Sequence, residues 1–345
     1  MRLHFLPFWS QQSKQSNEFL LDRCSGTKYL SYMATECAKL GHDVALAVPR
    51  HGQCRTFAPF VGKLLEPTCP VPTDNRRRRL HWDVEFLERV GDADVVVTCH
   101  EFAAIPLRML TRAKIVLEYG VRPSVAWGEM APLFPVSWGC AHTVFALSET
   151  LAQEMRATGV PARVWKFGYD DVDAAPRGLR RDIDFLFPSR CSATGYTRHE
   201  EFLRATAEKG WRVVATDPTS YLRSRGEHTW AVPHDPLDRE QYVECLHRAK
   251  VVVGLTDNGY GGFAFQEAVA AGALPVALRC PEYEEILGAD WPYLCDLGSL
   301  ASTLARARVE GWSAATLAQR SAVADNVSVC SYSSAWKRAK EDLCL

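Results

Sequence analysis

Short apolar runs alternate with longer amphipathic stretches along the whole chain. A strand of a parallel sheet is buried on both faces and is therefore a short apolar run, whereas the helix that covers the sheet is amphipathic, so this alternation predicts βαβ units. The predicted strands of the first half are residues 2–7, 43–48, 93–98, 114–117 and 142–146. The predicted strands of the second half are residues 183–188, 211–215, 228–231, 251–255 and 274–278.

The clearest helical pattern lies in residues 26–40. Apolar side chains recur there at steps of three and four residues and end before Gly41, a residue type that commonly ends helices. Weaker patterns of the same kind predict helices at residues 148–158, 200–209, 239–248, 264–271 and 297–309.

The segment 167–181 divides the two halves. It is rich in Asp, Gly and Pro and has no periodicity, which is typical of a linker. With 345 residues the chain suits two α/β domains. We predict an α/β protein with two Rossmann-like domains, residues 1–168 and 169–330, whose parallel sheets face a central cleft. Residues 331–345 are expected to form a helix that returns to the first domain.

Composition and charge exclude several classes of protein. The formal net charge of −1 gives no global attraction to nucleic acid or to an anionic membrane. No apolar run reaches the roughly 18–20 residues of a membrane span, so no stable membrane insertion is expected. The twelve cysteines form no CxxC pair, which favours free thiols in a reducing compartment. We therefore expect a cytoplasmic protein, in the host cytoplasm if it is viral, and the sequence leaves the oligomeric state open.

Two junctions between a predicted strand and a predicted helix carry candidate phosphate ligands. The first is Gly26 in Ser25-Gly26-Thr27-Lys28, where a helix N-terminus offers free N–H groups. It lacks the glycine pattern of dinucleotide folds and P-loops, so an ordinary turn explains it equally well. The second holds Arg190 and Arg198, which either bind a diphosphate through forked hydrogen bonds or are solvated surface residues.

A third junction, residues 257–268, is the most informative. It follows an apolar strand, contains Gly261 and Gly262, and leads into a helix of small residues that carries Glu267. Glycines let the backbone approach a ligand closely, and a carboxylate among Ala and Val side chains needs a hydrogen-bonding partner. The adjacent hydroxyls of a ribose would provide that partner.

The segment LHRAKVVVGLTDNGYGGFAFQEAVAAGALPVAL resembles the donor site of retaining GT-B glycosyltransferases of the GT4-like group. Those proteins carry an apolar strand, a glycine–phenylalanine–glycine turn, a glutamate, an Ala-rich helix and then G-x-P-V. The resemblance implies that Glu267 holds the donor ribose, that Gly262 and Phe263 form the turn beside Gly261, and that Arg190 and Arg198 bind the diphosphate. In the first half, SGTKYLSYMATECAKLGHDVALAVP and AHTVFALSETLAQEMRATGVP are similar to the family's first glycine loop and to its V-x-A-x-S strand.

The resemblance also implies a mechanism. It is independent of metals and of cofactors, retains the configuration at the sugar, and uses a nucleotide-sugar as co-substrate, with a UDP-sugar ahead of a GDP-sugar. Arg190 and Arg198 would stabilise the charge that develops on the leaving diphosphate. His100 resembles the family's histidine beside the reacting sugar, and Glu101 and Glu118 lie at strand ends where they can accept a proton. Each of these three residues can equally have a structural role.

Two features depart from the family or compete with it. Gly259 occupies the position of the family's first glutamate, which contacts the donor sugar, so the identity of the sugar stays open. Asp171-Val172-Asp173 has the form of the DxD metal motif of the other glycosyltransferase fold. Its place in the linker favours a hinge loop instead.

A run of four arginines is the candidate acceptor site. Arg76, Arg77, Arg78 and Arg79 precede His81 and Trp82, and adjacent cations beside an aromatic ring suit a phosphate backbone. A solvated loop is the alternative. The region resembles phage-type glycosyltransferases that modify hydroxymethylated pyrimidines, so double-stranded DNA is the favoured acceptor. A glycan, lipid or small-molecule acceptor is the second hypothesis, and a non-catalytic binder of nucleotide-sugars or nucleic acid is the third.

Overall fold

The structure is a computed structural model. It describes residues 1–7, 19–20, 25–48, 54–56, 62–67, 83–100, 102–119, 128–189, 197–217, 221–222, 237–256, 261–310 and 323–343. The chain divides into two compact units. The first unit comprises Met1–Trp165 and Lys340–Leu345, and the second comprises Lys166–Ala339.

The first unit contains a seven-stranded sheet in which every pair of neighbours is parallel. In spatial order its strands are Lys63–Leu65, Asp43–Ala47, Arg2–Leu6, Val95–Thr98, Lys114–Tyr119, Thr143–Ala146 and Ala162–Val164. The chain order reverses between Arg2–Leu6 and Val95–Thr98, where Leu6 pairs with Thr98. In doubly wound sheets, ligands bind at the carboxyl ends of the two strands that flank such a reversal. Phe19–Leu20 and Cys54–Thr56 form a separate parallel pair.

Helices cover this sheet. They are Ser25–Lys39, Val84–Gly91, Ala104–Leu110, Phe134–Cys140 and Glu149–Ala157, with a 3₁₀ helix at Gly128–Leu133. The predicted apolar face of Ser25–Lys39 is confirmed, because Tyr29, Met33 and Cys37 are fully buried. Trp165 is also fully buried, with its ring 5.6 Å from that of Tyr29.

The second unit contains a five-stranded parallel sheet. In spatial order its strands are Val213–Ala215, Ile183–Phe187, Ala249–Gly254, Leu274–Leu278 and Leu294–Cys295. The chain order reverses between Ile183–Phe187 and Ala249–Gly254, and both strands are almost wholly buried. The helices are Asp171–Ala174, His199–Thr206, Arg239–Arg248, Phe263–Ala270, Pro281–Leu287, Leu300–Glu310, residues 323–328 and Tyr332–Asp342. The last residues of helix Tyr332–Asp342 belong to the first unit.

The predicted fold class is confirmed, since both units are parallel α/β structures. Nine of the ten predicted strands are present with small shifts at their ends, and the tenth, residues 228–231, lies outside the described residues. Within the segment predicted as a linker, Asp171–Ala174 forms one helical turn, whose N-cap residue Asp170 accepts a hydrogen bond from the backbone N–H of Val172 at 3.1 Å. The prediction placed the domain boundary at residue 168 and the C-terminal helix with the first domain. The structure divides the chain after Trp165 and groups residues up to Ala339 with the second unit.

Two further properties concern the whole described chain. Every cysteine in the described ranges whose side chain is placed is a free thiol, and burial raises the pKa of Cys37 to about 12 and that of Cys330 to about 11. None of the described helices has both the length and the apolar composition that crossing a membrane would require.

Candidate functional site

The glycine turn of the second unit stands at the carboxyl end of strand Ala249–Gly254. Gly261 and Gly262 adopt φ values of 74° and 77°, a region that side chains with a Cβ rarely occupy. A Cβ on Gly261 would also lie 2.6 Å from Cδ1 of Ile286. The turn therefore requires glycine for its backbone conformation and, at Gly261, for space.

This turn opens directly into helix Phe263–Ala270. Gly262 is the N-cap and supplies no side-chain hydrogen bond to the helix N-terminus. The first N–H groups of a helix have no partner inside the helix and carry partial positive charge, so an uncapped N-terminus beside a glycine turn suits an anion such as a diphosphate.

The beginning of the predicted linker, residues 167–168, packs on helix Phe263–Ala270. The rings of Phe167 and Phe263 are stacked, with centroids 5.3 Å apart and an angle of 15° between the planes. Gly168 lies so close to Gln266 that a Cβ would be 2.7 Å from its Cδ atom. Phe263, predicted as part of the donor turn, is therefore held from the linker side.

Glu267 lies one turn into this helix and is only 7% exposed. Each of its carboxylate oxygens accepts a hydrogen bond from a different side chain. Arg239 Nη2 donates to Oε1 at 3.2 Å, and the Tyr242 hydroxyl donates to Oε2 at 2.5 Å. The sequence predicted that this carboxylate needs a partner, and the protein itself supplies two.

Both donors have pKa values that favour their hydrogen-bonding forms. Burial opposes the charge of Arg239, but Glu267 together with Tyr242 and Tyr332 outweighs this effect and raises the pKa of the guanidinium above its usual value. Burial, and after it the negative charge of Glu267, raises the pKa of the Tyr242 hydroxyl well above its usual value. Arg239 thus stays charged and Tyr242 stays neutral at any physiological pH.

Asp173 joins this group through the same arginine. Arg239 Nη2 also donates to Oδ2 of Asp173, and the imidazole Nε2 of His247 lies 2.8 Å from the Asp173 carbonyl oxygen. Asp173, in the segment expected to be a hinge loop, is thus linked to Glu267 through Arg239. We call Asp173, Arg239, Tyr242 and Glu267 the Glu267 cluster.

Arg198 follows the other strand of the reversal, Ile183–Phe187, and is the N-cap of helix His199–Thr206. It adopts φ 52° and ψ 36°, a left-handed conformation that is uncommon for a residue other than glycine. Its nearest described acidic partner is Glu201, at 4.0 Å. Arg198 and the glycine turn thus follow the two strands at which a parallel sheet binds ligands. Arg190 lies outside the described residues.

The remaining predicted residues belong to the first unit or lie outside the described ranges. His100 and Glu118 are both buried and lie at the carboxyl ends of two adjacent strands, Val95–Thr98 and Lys114–Tyr119. His100 also lies at the reversal, where its N–H donates to Thr98 Oγ1 at 2.9 Å and that hydroxyl donates to the Leu6 carbonyl at 2.8 Å. Gly26 is the second residue of helix Ser25–Lys39 and lies in its first turn. Glu101 and Arg76, Arg77, Arg78 and Arg79 lie outside the described residues.

Sequence reasoning missed Arg239 and Tyr242. They lie three residues apart in the first turn of helix Arg239–Arg248, so they share one face of that helix. This polar pair at helical spacing was the available signal. Its pairing with a carboxylate more than twenty residues away depends on how the two helices pack.

Solved structures share this fold over essentially the whole chain. HepE from Anabaena, solved with UDP and glucose, is 14% identical, with a TM-score of 0.67 and coverage of 100% of this chain and 99% of HepE. Sucrose-phosphate synthase from Thermosynechococcus elongatus is 14% identical, with a TM-score of 0.68 and coverage of 99% and 97%. Trehalose-6-phosphate synthase OtsA is 11% identical, with a TM-score of 0.65 and coverage of 99% of both chains. No protein-family model and no curated protein sequence matches the chain.

These neighbours are GT-B glycosyltransferases, and the chain has their fold. The chain therefore has a GT-B fold, with a glycine turn and a buried glutamate at the reversal of its second sheet.

Proposed function

We propose that the protein is a glycosyltransferase that moves a sugar from a nucleotide-sugar, a UDP-sugar ahead of a GDP-sugar, to a hydroxyl acceptor. The observation that carries this proposal is the Gly261–Gly262 turn with Glu267 one helical turn beyond it, at the reversal of a parallel sheet. The fold-sharing structures support it, because HepE was solved with UDP-glucose and an Escherichia coli trehalose-6-phosphate protein with UDP-2-fluoro-glucose.

In this proposal, different groups of the protein bind the ribose and the diphosphate of the donor. The ribose hydroxyls are hydrogen-bond donors and are held by Glu267, which retains free acceptor capacity: a carboxylate has about four lone-pair sites, and two are used by Arg239 and Tyr242. The diphosphate is held by the N-terminus of helix Phe263–Ala270 together with Arg190 and Arg198.

The reaction breaks the bond between the sugar C1 and the diphosphate oxygen and forms a bond from C1 to the acceptor oxygen, with loss of the acceptor proton. Negative charge grows on the leaving diphosphate, and cations and N–H groups fixed in place beforehand stabilise it in the transition state. We propose that His100 contacts the reacting sugar, that Glu101 or Glu118 receives the proton, and that the sugar configuration is retained.

For the acceptor we propose a hydroxymethylated pyrimidine in double-stranded DNA. Its support is the sequence alone: the run Arg76, Arg77, Arg78 and Arg79 beside Trp82 and the resemblance of that region to phage-type enzymes. The second candidate is a phosphorylated sugar, which the names sucrose-phosphate synthase and trehalose-6-phosphate synthase favour.

The test is a screen of UDP- and GDP-sugars for release of the nucleoside diphosphate. Each donor is incubated alone, with hydroxymethylated duplex DNA, with unmodified duplex DNA and with hexose phosphates. Release that rises only with hydroxymethylated DNA supports the DNA acceptor, and release that rises with a hexose phosphate replaces it with the second candidate. Donor binding without turnover under any condition would leave only a nucleotide-sugar binding protein, the role that Gly259 in place of the family's glutamate favours.

The arginine run has its own test. Replacing Arg76, Arg77, Arg78 and Arg79 by glutamine should weaken DNA binding and flatten its dependence on salt, because each lost phosphate contact lowers the slope of log K against log salt by about one. An unchanged slope would remove this run from the proposed DNA site.

A further inference from the structure

The helix that carries Arg239 and Tyr242 has a capping box at its first turn. Asp238 Oδ1 accepts from the Gln241 N–H at 2.8 Å, and Gln241 Oε1 accepts from the Asp238 N–H at 3.1 Å, which is a complete capping box. Arg239 is the first residue of this turn, and its guanidinium lies 5.2 Å from the centre of the Tyr242 ring. The two donors to Glu267 are therefore fixed relative to each other.

These two donors fix the plane of the Glu267 carboxylate. The terminal torsion of a glutamate is broad and allows the carboxylate to rotate. Here Oε1 is held from one side chain and Oε2 from another, at 3.2 Å and 2.5 Å, so rotation would break both hydrogen bonds. One lone pair on each oxygen remains, and these acceptor positions are set before any ligand arrives.

The charge of the cluster also selects its ligand. Two carboxylates, Asp173 and Glu267, share the guanidinium of Arg239, and Tyr242 is neutral. The group therefore carries a formal charge of −1, which repels phosphate and favours neutral hydrogen-bond donors. Two fixed acceptors on one carboxylate match two neighbouring hydroxyls, as found on the 2′ and 3′ carbons of ribose.

We propose that Arg239 and Tyr242 are positioning residues that give the donor site its selectivity for ribonucleotides, by holding Glu267 ready for the 2′ and 3′ hydroxyls. This proposal rests on the proposed function. In it Arg239 and Tyr242 act only through Glu267, so their effect on binding exists only when the ligand carries those hydroxyls.

The experiment compares the affinities of UDP and of 2′,3′-dideoxy-UDP for the wild-type protein and for Tyr242→Phe, by calorimetric titration. Tyr242→Phe leaves one carboxylate oxygen unheld and lets the carboxylate rotate, so it should weaken UDP binding about tenfold, which corresponds to about 1.4 kcal/mol. Its affinity for the dideoxy nucleotide should equal that of the wild type. Arg239→Lys should have the same selective effect, since lysine keeps the charge but lacks the guanidinium Nη2 that donates to Glu267.

Arg248→Lys is the matched control. It lies at the other end of the same helix and also binds a carboxylate, with two hydrogen bonds of 2.8 Å to Asp182. It should leave the ratio of the two affinities at the wild-type value, and thermal unfolding of each variant shows that it is folded.

The possible outcomes separate the two proposals. If wild-type protein prefers UDP and Glu267→Ala abolishes the preference, but Tyr242→Phe keeps it, the positioning role is overturned and the proposed function stands. If Tyr242→Phe weakens the binding of UDP and of the dideoxy nucleotide equally, the positioning role is also overturned. Such a result would mean that Tyr242 only stabilises the folded structure. If wild-type protein binds neither UDP nor GDP, the proposed function is overturned. The positioning proposal is then overturned as well, because it rests on that function.

Discussion

Two groups of charged side chains in the second unit lie at opposite ends of the same sheet and have different compositions. At the amino ends of the strands, Asp182 and Asp184 are matched by a surplus of cations. Arg248 donates two hydrogen bonds to Asp182, and Lys250 Nζ lies 2.7 Å from Asp184, with Arg212 and Arg308 nearby. We call this group the amino-end network. On the carboxyl side, the Glu267 cluster has two carboxylates that share Arg239.

The difference in pairing has electrostatic consequences. Hydrogen bonds from Arg248 lower the pKa of Asp182 to about 2. Burial alone would raise the pKa of Asp184, but hydrogen bonds from Lys250 and from the Arg212 N–H lower it. Neutralised carboxylates of this kind stabilise a fold, whereas the Glu267 cluster keeps net negative charge and acceptor capacity. Ligands of parallel sheets bind at the carboxyl side, so we expect the amino-end network to affect stability and the Glu267 cluster to affect ligand binding.

The largest expected effect concerns Arg198 on the carboxyl side. Arg198→Gly should lower turnover about 100-fold, because removing one group that stabilises transition-state charge typically costs about 3 kcal/mol. Stability should stay equal or rise, since glycine adopts the left-handed conformation of Arg198 without the usual penalty. Steady-state kinetics and thermal unfolding measure the two effects.

Glu208→Gly is the control for this prediction. Glu208 has φ 59°, is exposed, and also belongs to the second unit. Its replacement should change stability in the same direction and leave turnover unaltered. Equal turnover in wild type and Arg198→Gly would remove Arg198 from the site.

The second expected effect concerns the glycine turn. Gly261→Ala should destabilise the fold by about 2–3 kcal/mol, of which a left-handed conformation accounts for about 1–2 kcal/mol and the contact with Ile286 for the rest. It should also weaken UDP binding, since the turn precedes helix Phe263–Ala270. Chemical denaturation and titration with UDP measure these changes.

Gly288→Ala isolates the conformational part. Gly288 has φ +90°, and a Cβ there would meet no atom within 4 Å. This variant should lose about 1–2 kcal/mol and keep its UDP affinity. A loss as large as that of Gly261→Ala would mean that the space at Gly261 is not the critical property of the turn.

The smallest expected effect concerns the amino-end network. Asp182→Asn should cost about 1 kcal/mol near neutral pH, the usual scale for partly exposed ion pairs, and should not change UDP affinity. Because the pKa of Asp182 is lowered in the folded state, its stabilisation is present above about pH 4 and is lost as the pH falls towards 2. Stabilities of wild type and variant, measured by denaturation between pH 7 and pH 2, should therefore converge at the acid end. A difference in stability that stays constant across this pH range would contradict the role of the Asp182 charge. A loss of UDP affinity would contradict the separation of stability from binding between the two ends of the sheet.

Features with local causes were accessible from the sequence, and features with long-range causes were not. The apolar spacing of helix Ser25–Lys39 and the buried strand Ala249–Gly254 depend on neighbouring residues, so both were predicted closely. Strands Lys63–Leu65 and Leu294–Cys295 were missed because two or three residues show no period. The isolation of Glu267 among apolar side chains predicted that it needs a partner. Its partners Arg239 and Tyr242 could not be predicted, because the contact depends on how separate segments pack. The same holds for Asp173, which contacts Arg239.

The most direct test of the central claim is titration of Glu267→Ala with UDP beside wild type and Asp182→Asn. Glu267 is expected to accept two hydrogen bonds from the ribose, each worth about 1.5 kcal/mol, so its loss should weaken UDP binding by roughly 100-fold. Asp182→Asn should keep the wild-type affinity even though it is less stable. Wild-type affinity in a folded Glu267→Ala variant would contradict the account and end the case for Glu267 as the ribose-binding residue.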